Sequence, residues 1–411
     1  MSELASRAVV KEWCEHISHA AHAGAHLAIE GFQSKAFLRG LSRESSHHEP
    51  LQILSTRSLS GIIAYEPSEL YVQAHAGTPL SEIEQMLDLQ GQCLPFEPPR
   101  LPTELHPLGV ASLGGMVASG LAGPARVSMG GVREHVLGLG LINGLGEHML
   151  FGGQVIKNVA GYDVSRLLTG SMGRLGVITE VSLKVLPKAA SELTFKVNTS
   201  ARTSIQLLAQ WGSKPLALNA SAWSNEASDG IGGGTLMVRL KGALAATQSS
   251  LALMLQTLAD ANIPASDVQV MDTPEEATTY WQNLRDQRLS FFTNPKGSSS
   301  AYGLWRVSLP PSEIASFENL PSELESLSRL LEWHGALQWW WADAEQAKLL
   351  SLRVQAHGGH LKAYRPSSSP TEHPALGSLE TQMSSIQVSL ERRIQESFDP
   401  KGVFSARPLE A

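Results

Sequence analysis

The sequence predicts an α+β fold, and three observations carry that reading. Strand and helix candidates are mixed along the chain without the regular alternation of a doubly wound parallel sheet. Seventeen of the 36 glycines lie between Gly109 and Gly176. Such density marks either a run of tight turns or a backbone that a ligand approaches more closely than a Cβ permits. Beyond residue 190 glycine thins, and eight of the nine tryptophans lie past residue 200, which marks a second domain. The boundaries read as a first domain over 1–190, a second over 191–376, and a C-terminal helix and tail over 377–411 that pack back on the first.

In chain order, residues 6–26 have the spacing of a helix, with Val9, Val10, Trp13, Ile17, Ala20 and Ala21 on one face. Leu27-Ala28-Ile29 is a short strand that runs into Gly31-Phe32-Gln33-Ser34-Lys35. A strand entering a Gly/Ser/Lys loop has the backbone amides and the lysine of a phosphate cradle, but this is not a Walker A loop. Leu59–Tyr65 and Leu70–Ala76 are strand candidates. Thr78 is placed as the N-cap of a helix with Pro79 in its first turn and Leu80, Ile83 and Leu87 buried; Gly91 ends it. The proline-rich Leu94–Pro99 is extended.

Ser112-Leu113-Gly114-Gly115 leads into a short helix over Met116–Gly120 whose first amides are positioned for a pyrophosphate. Val136–Ile142 alternates as a strand, Asn143-Gly144 turns the chain, and His148–Phe151 pairs back. Asp163–Thr169 reads as a helix with Leu167 and Leu168 inward. Gly176–Val185 is a long β-branched strand stopped by Pro187. In the second domain Thr203–Trp211, Thr247–Ala261 and Ala344–Ala356 read as helices, and Thr235–Leu240, Gly303–Leu309 and Leu361–Tyr364 as strands. Glu332–Gly335 and Gln338–Trp341 flank a turn. The triple tryptophan is either a strand showing core and face in alternation or a substrate or partner surface. A last amphipathic helix covers Leu379–Phe398.

The net charge of −7 and a charged fraction of 17% argue against a nucleic-acid surface. No apolar run reaches the length of a membrane span, and charges stand where the core of an export signal would lie, so a cytoplasmic protein is expected. Cys14 and Cys93, the only cysteines, cannot ligate an iron–sulfur cluster by themselves. His16, His19, His22 and His26 share a helix face without a carboxylate or cysteine set nearby, so no metal site is expected. Gly138-x-Gly140 and Gly170-x-x-Gly173-x-x-Gly176 do not complete a G-x-G-x-x-G turn, which excludes the usual dinucleotide fingerprint.

A set of ordered motifs carries a family resemblance: Leu54-Ser55-Thr56-Arg57, Ala76-Gly77-Thr78-Pro79-Leu80, Leu94-Pro95-Phe96-Glu97-Pro98-Pro99 and Leu113-Gly114-Gly115-Met116-Val117-Ala118. They continue with Phe151-Gly152-Gly153, Lys157-Asn158-Val159-Ala160-Gly161-Tyr162-Asp163 and Leu175-Gly176-Val177-Ile178-Thr179-Glu180, and end with Phe398–Phe404. The chain resembles flavoproteins of the vanillyl-alcohol-oxidase type with a PCMH-type FAD-binding domain, and among them the FAD-binding subunits of glycolate oxidase (glycolate dehydrogenase).

The resemblance implies a PCMH-type FAD domain of two subdomains followed by an α+β cap domain. It implies that Gly31, Phe32, Gln33, Ser34 and Lys35 lie over the FAD pyrophosphate, opposite Ser112, Leu113, Gly114, Gly115, Ser119 and Gly120. Thr78, Pro98, Gly161, Gly176, Val177 and Ile178 would be further cofactor contacts. Lys157, Asn158 and Tyr162 would face the flavin, and Phe404 and Arg407 of the tail would help to close the site. Phe32-Gln33 stand where the family has more glycines, and Ser405-Ala406 replace a usual Asn-Pro-Gly. The His-x-Gly-Asp-Gly-Asn-x-His segment of related 2-hydroxy-acid dehydrogenases is missing, which leaves His360 as the nearest candidate for a substrate-facing base or else a structural histidine. No histidine stands in the loop, so the FAD is expected to be non-covalent. The implied function is the oxidation of glycolate to glyoxylate, with Lys157 and Arg407 as carboxylate partners. Electrons would leave through a paralogous flavin subunit and an iron–sulfur subunit, and through them the protein would reach the inner membrane. Two alternatives are a non-catalytic FAD-binding scaffold of the same complex and a free-standing oxidase.

Overall fold

The computed structural model describes residues 2–39, 52–153, 163–226, 233–292, 302–365, 381 and 383–404. Two compact units emerge. The first comprises Met1–Gly123, Gly130–Lys188 and Met383–Ala411; the second comprises Pro124–Met129 and Ala189–Gln382.

The first unit opens with helix α1, Glu3–Ala23, which buries Trp13, Ile17 and Ala20. It starts earlier than its apolar spacing suggests because Ser2 Oγ accepts the Ala5 amide, and it stops at Gly24, whose φ of +68° is left-handed. Strand β1, Leu27–Glu30, pairs in parallel with β2, Gln52–Ser55, from Leu27↔Gln52 to Glu30↔Ser55. The tail joins the same region: the Leu27 amide donates to Val403 O at 2.8 Å, and Val403 and Phe404 pack with Trp13, Ile17, Leu27 and Leu54.

Strands β3 (Ile62–Glu66) and β4 (Tyr71–His75) precede helix α2 (Leu80–Leu89), and the two-residue strand β5 (Gln92–Cys93) follows it. After helix α3 (Leu113–Ser119) come β6 (Val136–Ile142), β7 (His148–Gly152), β8 (Val177–Lys184) and β9 (Leu186–Pro187), which pairs with β5. The main sheet is antiparallel with the order β3-β4-β8-β6-β7. The β-branched run of β8 pairs with β4 and β6 along its two edges and is buried on its faces, with Ile178, Val181 and Leu183 in one core cluster and Val177 in the cluster of Trp13, Ile17 and Val403. Five residues rather than a tight pair connect β6 to β7, since Asn143 Oδ1 accepts the amides of both Leu145 and Glu147. In the helix Val164–Leu168, Leu168 is buried but Leu167 is exposed, against the inward placement read from sequence.

Two expected helix starts move. Thr78 does not cap α2: its hydroxyl turns to Gly61, and the helix begins at Leu80 behind Pro79. Helix α3 begins at Leu113, three residues before Met116, because Ser112 caps it through the Gly115 amide at 3.2 Å. The last helix spans Ser385–Phe398 and starts after the expected Leu379, as Ser384 and Gln387 form a capping box.

The second unit is built on an eight-stranded antiparallel sheet. Its strands are β10 (Ser191–Asn198), β11 (Leu218–Ser224), β12 (Thr235–Gly242), β13 (Val268–Val270), β14 (Gly303–Ser308), β15 (Arg329–Glu332), β16 (Leu337–Ala342) and β17 (His360–Arg365). They are ordered β13-β10-β12-β11-β15-β16-β14-β17. Trp211, Trp305, Trp340, Leu236 and Val238 share the main core of this unit. All three indoles of the triple tryptophan lie in β16 and are buried with their N–H groups bonded. Trp339 donates to Glu332 at 2.7 Å, Trp340 to Gln338 at 3.0 Å, and Trp341 to Phe291 O at 2.7 Å. No helix among the described residues is long and apolar enough to cross a membrane.

Candidate functional site

The first unit holds a cavity where β1 ends. Its wall is the 30–36 segment, and Ser112, Gly115, Ala118, Ser119 and Met172 complete it. The local geometry follows from the loop's composition. A Cβ on Gly31 would stand 2.7 Å from Ser112 Oγ, so only glycine lets the loop lie against that hydroxyl. Gln33 has a left-handed φ of +58°, and its side-chain amide donates to the Glu30 carboxylate. Met172, on the far wall, is also left-handed at +56°. The amides of Phe32, Gln33 and Ser34 have no acceptor among the described residues. Consecutive amides of this kind around a left-handed residue form an anion-binding concavity.

The expectation that α3 offers its first amides to an anion is corrected. Leu113 N donates to Thr78 O at 2.9 Å, Gly114 N to Ala76 O at 2.7 Å, Gly115 N to Ser112 Oγ, and Met116 N to Ser112 O at 2.9 Å. All four donors are consumed within the fold. What Ser112–Gly115 contribute is closeness: a Cβ on Gly114 would come within 2.8 Å of Ala76, and exposed Gly115 forms bare cavity wall. Ser119 donates to Met116 O at 3.1 Å, and Gly120 is the left-handed C-cap. Thr78 is wholly buried with its hydroxyl engaged by Gly61, and Pro98 is buried in the extended segment after β5.

Gly176 has φ +147° and enters β8, where Val177 and Ile178 send their side chains into the core. The ladder to β4 ends where Ala76 N meets Thr179 O, so Val177 and Ile178 are paired on the β6 side alone. Lys157, Asn158, Gly161, Tyr162 and Arg407 lie outside the described residues. His360 belongs to the second unit, where it is the exposed first residue of the outermost strand, opposite Ser308. Among the described residues, no group of three or more His, Cys, Asp or Glu is arranged to hold a metal ion.

Sequence reasoning missed a cluster inside the second unit. The Arg306 guanidinium lies 5.7 Å from the Trp333 ring and 5.9 Å from that of Trp339, while Arg126 stacks on Trp333 at 4.6 Å. Arg306 donates to Ser308 Oγ at 3.3 Å and makes no ion pair with a described carboxylate. Burial lowers its pKa, and burial pushes the Tyr364 hydroxyl up to about 12 although Gln287 donates to it at 2.8 Å. The legible signal was an arginine in the middle of the apolar strand Gly303-Leu304-Trp305-Arg306-Val307.

Comparison with known proteins gives the following. A family model described as an FAD binding domain matches residues 16–152. Over 393 residues the chain is 35% identical to the glycolate oxidase subunit GlcE of Escherichia coli K12, covering 95% of this chain and 94% of that protein. It is 30% identical over 142 residues to a D-lactate dehydrogenase of Anaerostipes hadrus, covering 34% of this chain and 28% of that one. It is 25% identical over 162 residues to the glycolate oxidase subunit GlcD of Bacillus subtilis 168, covering 38% and 33%. Among solved structures, alkyldihydroxyacetonephosphate synthase superposes with a TM-score of 0.65 at 12% identity, over 96% of this chain and 74% of that one.

Proposed function

Because the chain belongs to the family of the glycolate oxidase subunit GlcE, we propose that it takes part in oxidising glycolate to glyoxylate as the FAD-binding subunit of a multi-subunit enzyme. It is an FAD-dependent oxidoreductase of PCMH-type fold. The single observation that carries the reading is the fit of the cavity at the end of β1. Phe32, Gln33 and Ser34 line it with amides that have no acceptor among the described residues, and the wall is kept free of Cβ atoms at Gly31 and Gly115.

Bound FAD supplies the acceptor for the hydride that leaves the hydroxyl-bearing carbon. The protein's part is to hold the anionic phosphates through the 32–34 amides and to bring the backbone close through Gly31 and Gly115. For the substrate carboxylate, Lys157 and Arg407 remain the proposed partners. Asn158 and Tyr162 are proposed to orient the flavin and substrate. With cysteine only at positions 14 and 93, this sequence has no ligand set for an iron–sulfur centre, so electrons leave through another protein or a soluble acceptor; the family resemblance supports a partner subunit that carries such a centre. A scaffold that binds FAD without turning substrate over is the second reading. It is favoured by His360, the expected base, standing exposed on an outer strand.

The test is the absorption spectrum of the purified protein before and after anaerobic addition of glycolate. Bleaching of the flavin bands supports the catalytic reading. Bands that stay oxidised with the partner subunits present support the scaffold. A protein that takes up no FAD on reconstitution overturns both.

A further inference from the structure

The loop at the end of β1 carries a phenylalanine where a smaller residue would suffice, and the structure shows what holds it. Because β1 and β2 are parallel with Glu30 opposite Ser55, the segments that follow them leave the same end of the pair. Phe32 and Arg57 are each two residues past those partners, and the Arg57 guanidinium lies 5.3 Å from the centre of the Phe32 ring. A third segment contributes His106, whose ring meets Phe32 edge-on at 5.9 Å.

His106 is exposed but not loosely placed. Thr103 N donates to His106 O at 3.1 Å, His106 N donates to both Thr103 O and Thr103 Oγ1, and Gly109 N donates to His106 O at 2.9 Å. Gly109, with φ +92°, closes the turn under Arg100 O, where a Cβ would stand 2.0 Å away. Arg57 is exposed and makes no ion pair with any described residue. The one carboxylate in the cavity wall, Glu30, is engaged by Gln33.

We propose that Phe32 is a positioning residue, clamped between Arg57 and His106 so that the 32–34 amides are preorganised for FAD, and that Arg57 supplies the cation that neutralises its pyrophosphate. A glycine at position 32 would give the loop freedom that binding must remove; an aromatic ring packed on two sides removes it beforehand. A guanidinium stacked on a ring keeps its charge and its N–H fork for an anion. The inference rests on the FAD reading above.

The experiment measures FAD dissociation constants for the full-length apoprotein by flavin fluorescence, across a series of salt concentrations, with thermal unfolding of each apoprotein as the folding control. Phe32→Leu is expected to weaken FAD roughly tenfold, with Phe32→Tyr close to wild type. Arg57→Gln is expected to weaken it about as much and to flatten the salt dependence, with Arg57→Lys recovering part of both. Phe32→Leu and Arg57→Gln proteins that bind within about twofold of wild type overturn the proposal, as does an Arg57→Gln loss with unchanged salt dependence. A wild-type protein that binds no FAD sinks the underlying reading instead.

Discussion

The Nδ1 of His334 lies 2.7 Å from Ser221 Oγ, and the same hydroxyl accepts the His334 amide at 3.2 Å. This double hold sits at the turn between β15 and β16, where Trp333, His334 and Gly335 all have left-handed φ values of 52°, 59° and 94°. Burial lowers the pKa of His334 to about 4. The folded state therefore keeps the ring neutral while the unfolded chain takes up a proton below about 6.5. Stability is full above that pH and falls as the pH drops toward 4, by an amount on the order of 3 kcal/mol. Urea midpoints measured from pH 7 to pH 4 should show the decline. His334→Asn, which tolerates the left-handed backbone, should flatten it.

Asp399 fastens the tail. Its Oδ1 accepts the Val403 amide at 2.8 Å and its Oδ2 the Phe404 amide at 2.9 Å, while the Gly144 amide donates to Phe398 O at 2.8 Å. Asp399→Asn replaces one acceptor with a donor aimed at a buried amide, at a cost of about 1.5–3 kcal/mol. Chemical denaturation should register that loss, and trypsin should cut after Lys401 faster than in wild type. Unchanged cleavage would show that the carboxylate does not hold the tail.

Arg329 and Glu318 form a buried ion pair in the second unit, and the guanidinium also stacks at 5.0 Å from Trp340 and 5.3 Å from Trp223. The pair is incompletely satisfied: Glu318 Oε2 and Arg329 Nε and Nη1 have no hydrogen-bond partner among the described residues. Removing one charge strands the other, so Arg329→Met should destabilise by about 3–5 kcal/mol. The double variant Arg329→Met with Glu318→Leu should recover most of that, because the desolvation cost of both charges disappears. A double variant no more stable than the single would place the value of the pair in specificity or in stacking.

The parts of the fold legible in sequence are those whose local pattern agrees with their burial. The β-branched run from Val177 is a central strand, and Val136–Ile142 is its neighbour. The parallel pairing of β1 with β2 had no such mark, because Gln52–Ser55 is short and mostly exposed and its partner is fixed by tertiary packing. Helix α3 starts earlier than its sequence suggests for a related reason. Gly114 and Gly115 are poor helix formers, and they are helical here because their amides have acceptors in Ala76 and Ser112. In the candidate site, Gly31 and Gly115 were legible because glycine advertises close approach. The contacts of Phe32 with Arg57 and His106 were not, since three distant segments meet there. Arg306 carries no sequence mark beyond its place in a strand that reads as core.

Gly31→Ala offers the sharpest check on why the cavity is built of small residues. The added Cβ would lie 2.7 Å from Ser112 Oγ, and that hydroxyl caps α3 by accepting the Gly115 amide. Rotating the hydroxyl away to make room breaks the cap, at about 1 kcal/mol, and leaves the loop displaced from the wall. Gly31→Ala should therefore weaken FAD binding several-fold with only a modest loss of stability. Ser112→Gly alone should cost a few tenths of a kcal/mol in stability, since glycine is itself a tolerable cap. In the double variant the clash is gone, so the affinity loss should shrink below that of Gly31→Ala alone, a non-additivity that neighbouring residues show when they share one contact. FAD affinities that simply add across the two positions would mean that the alanine methyl disturbs the cofactor directly and not through Ser112.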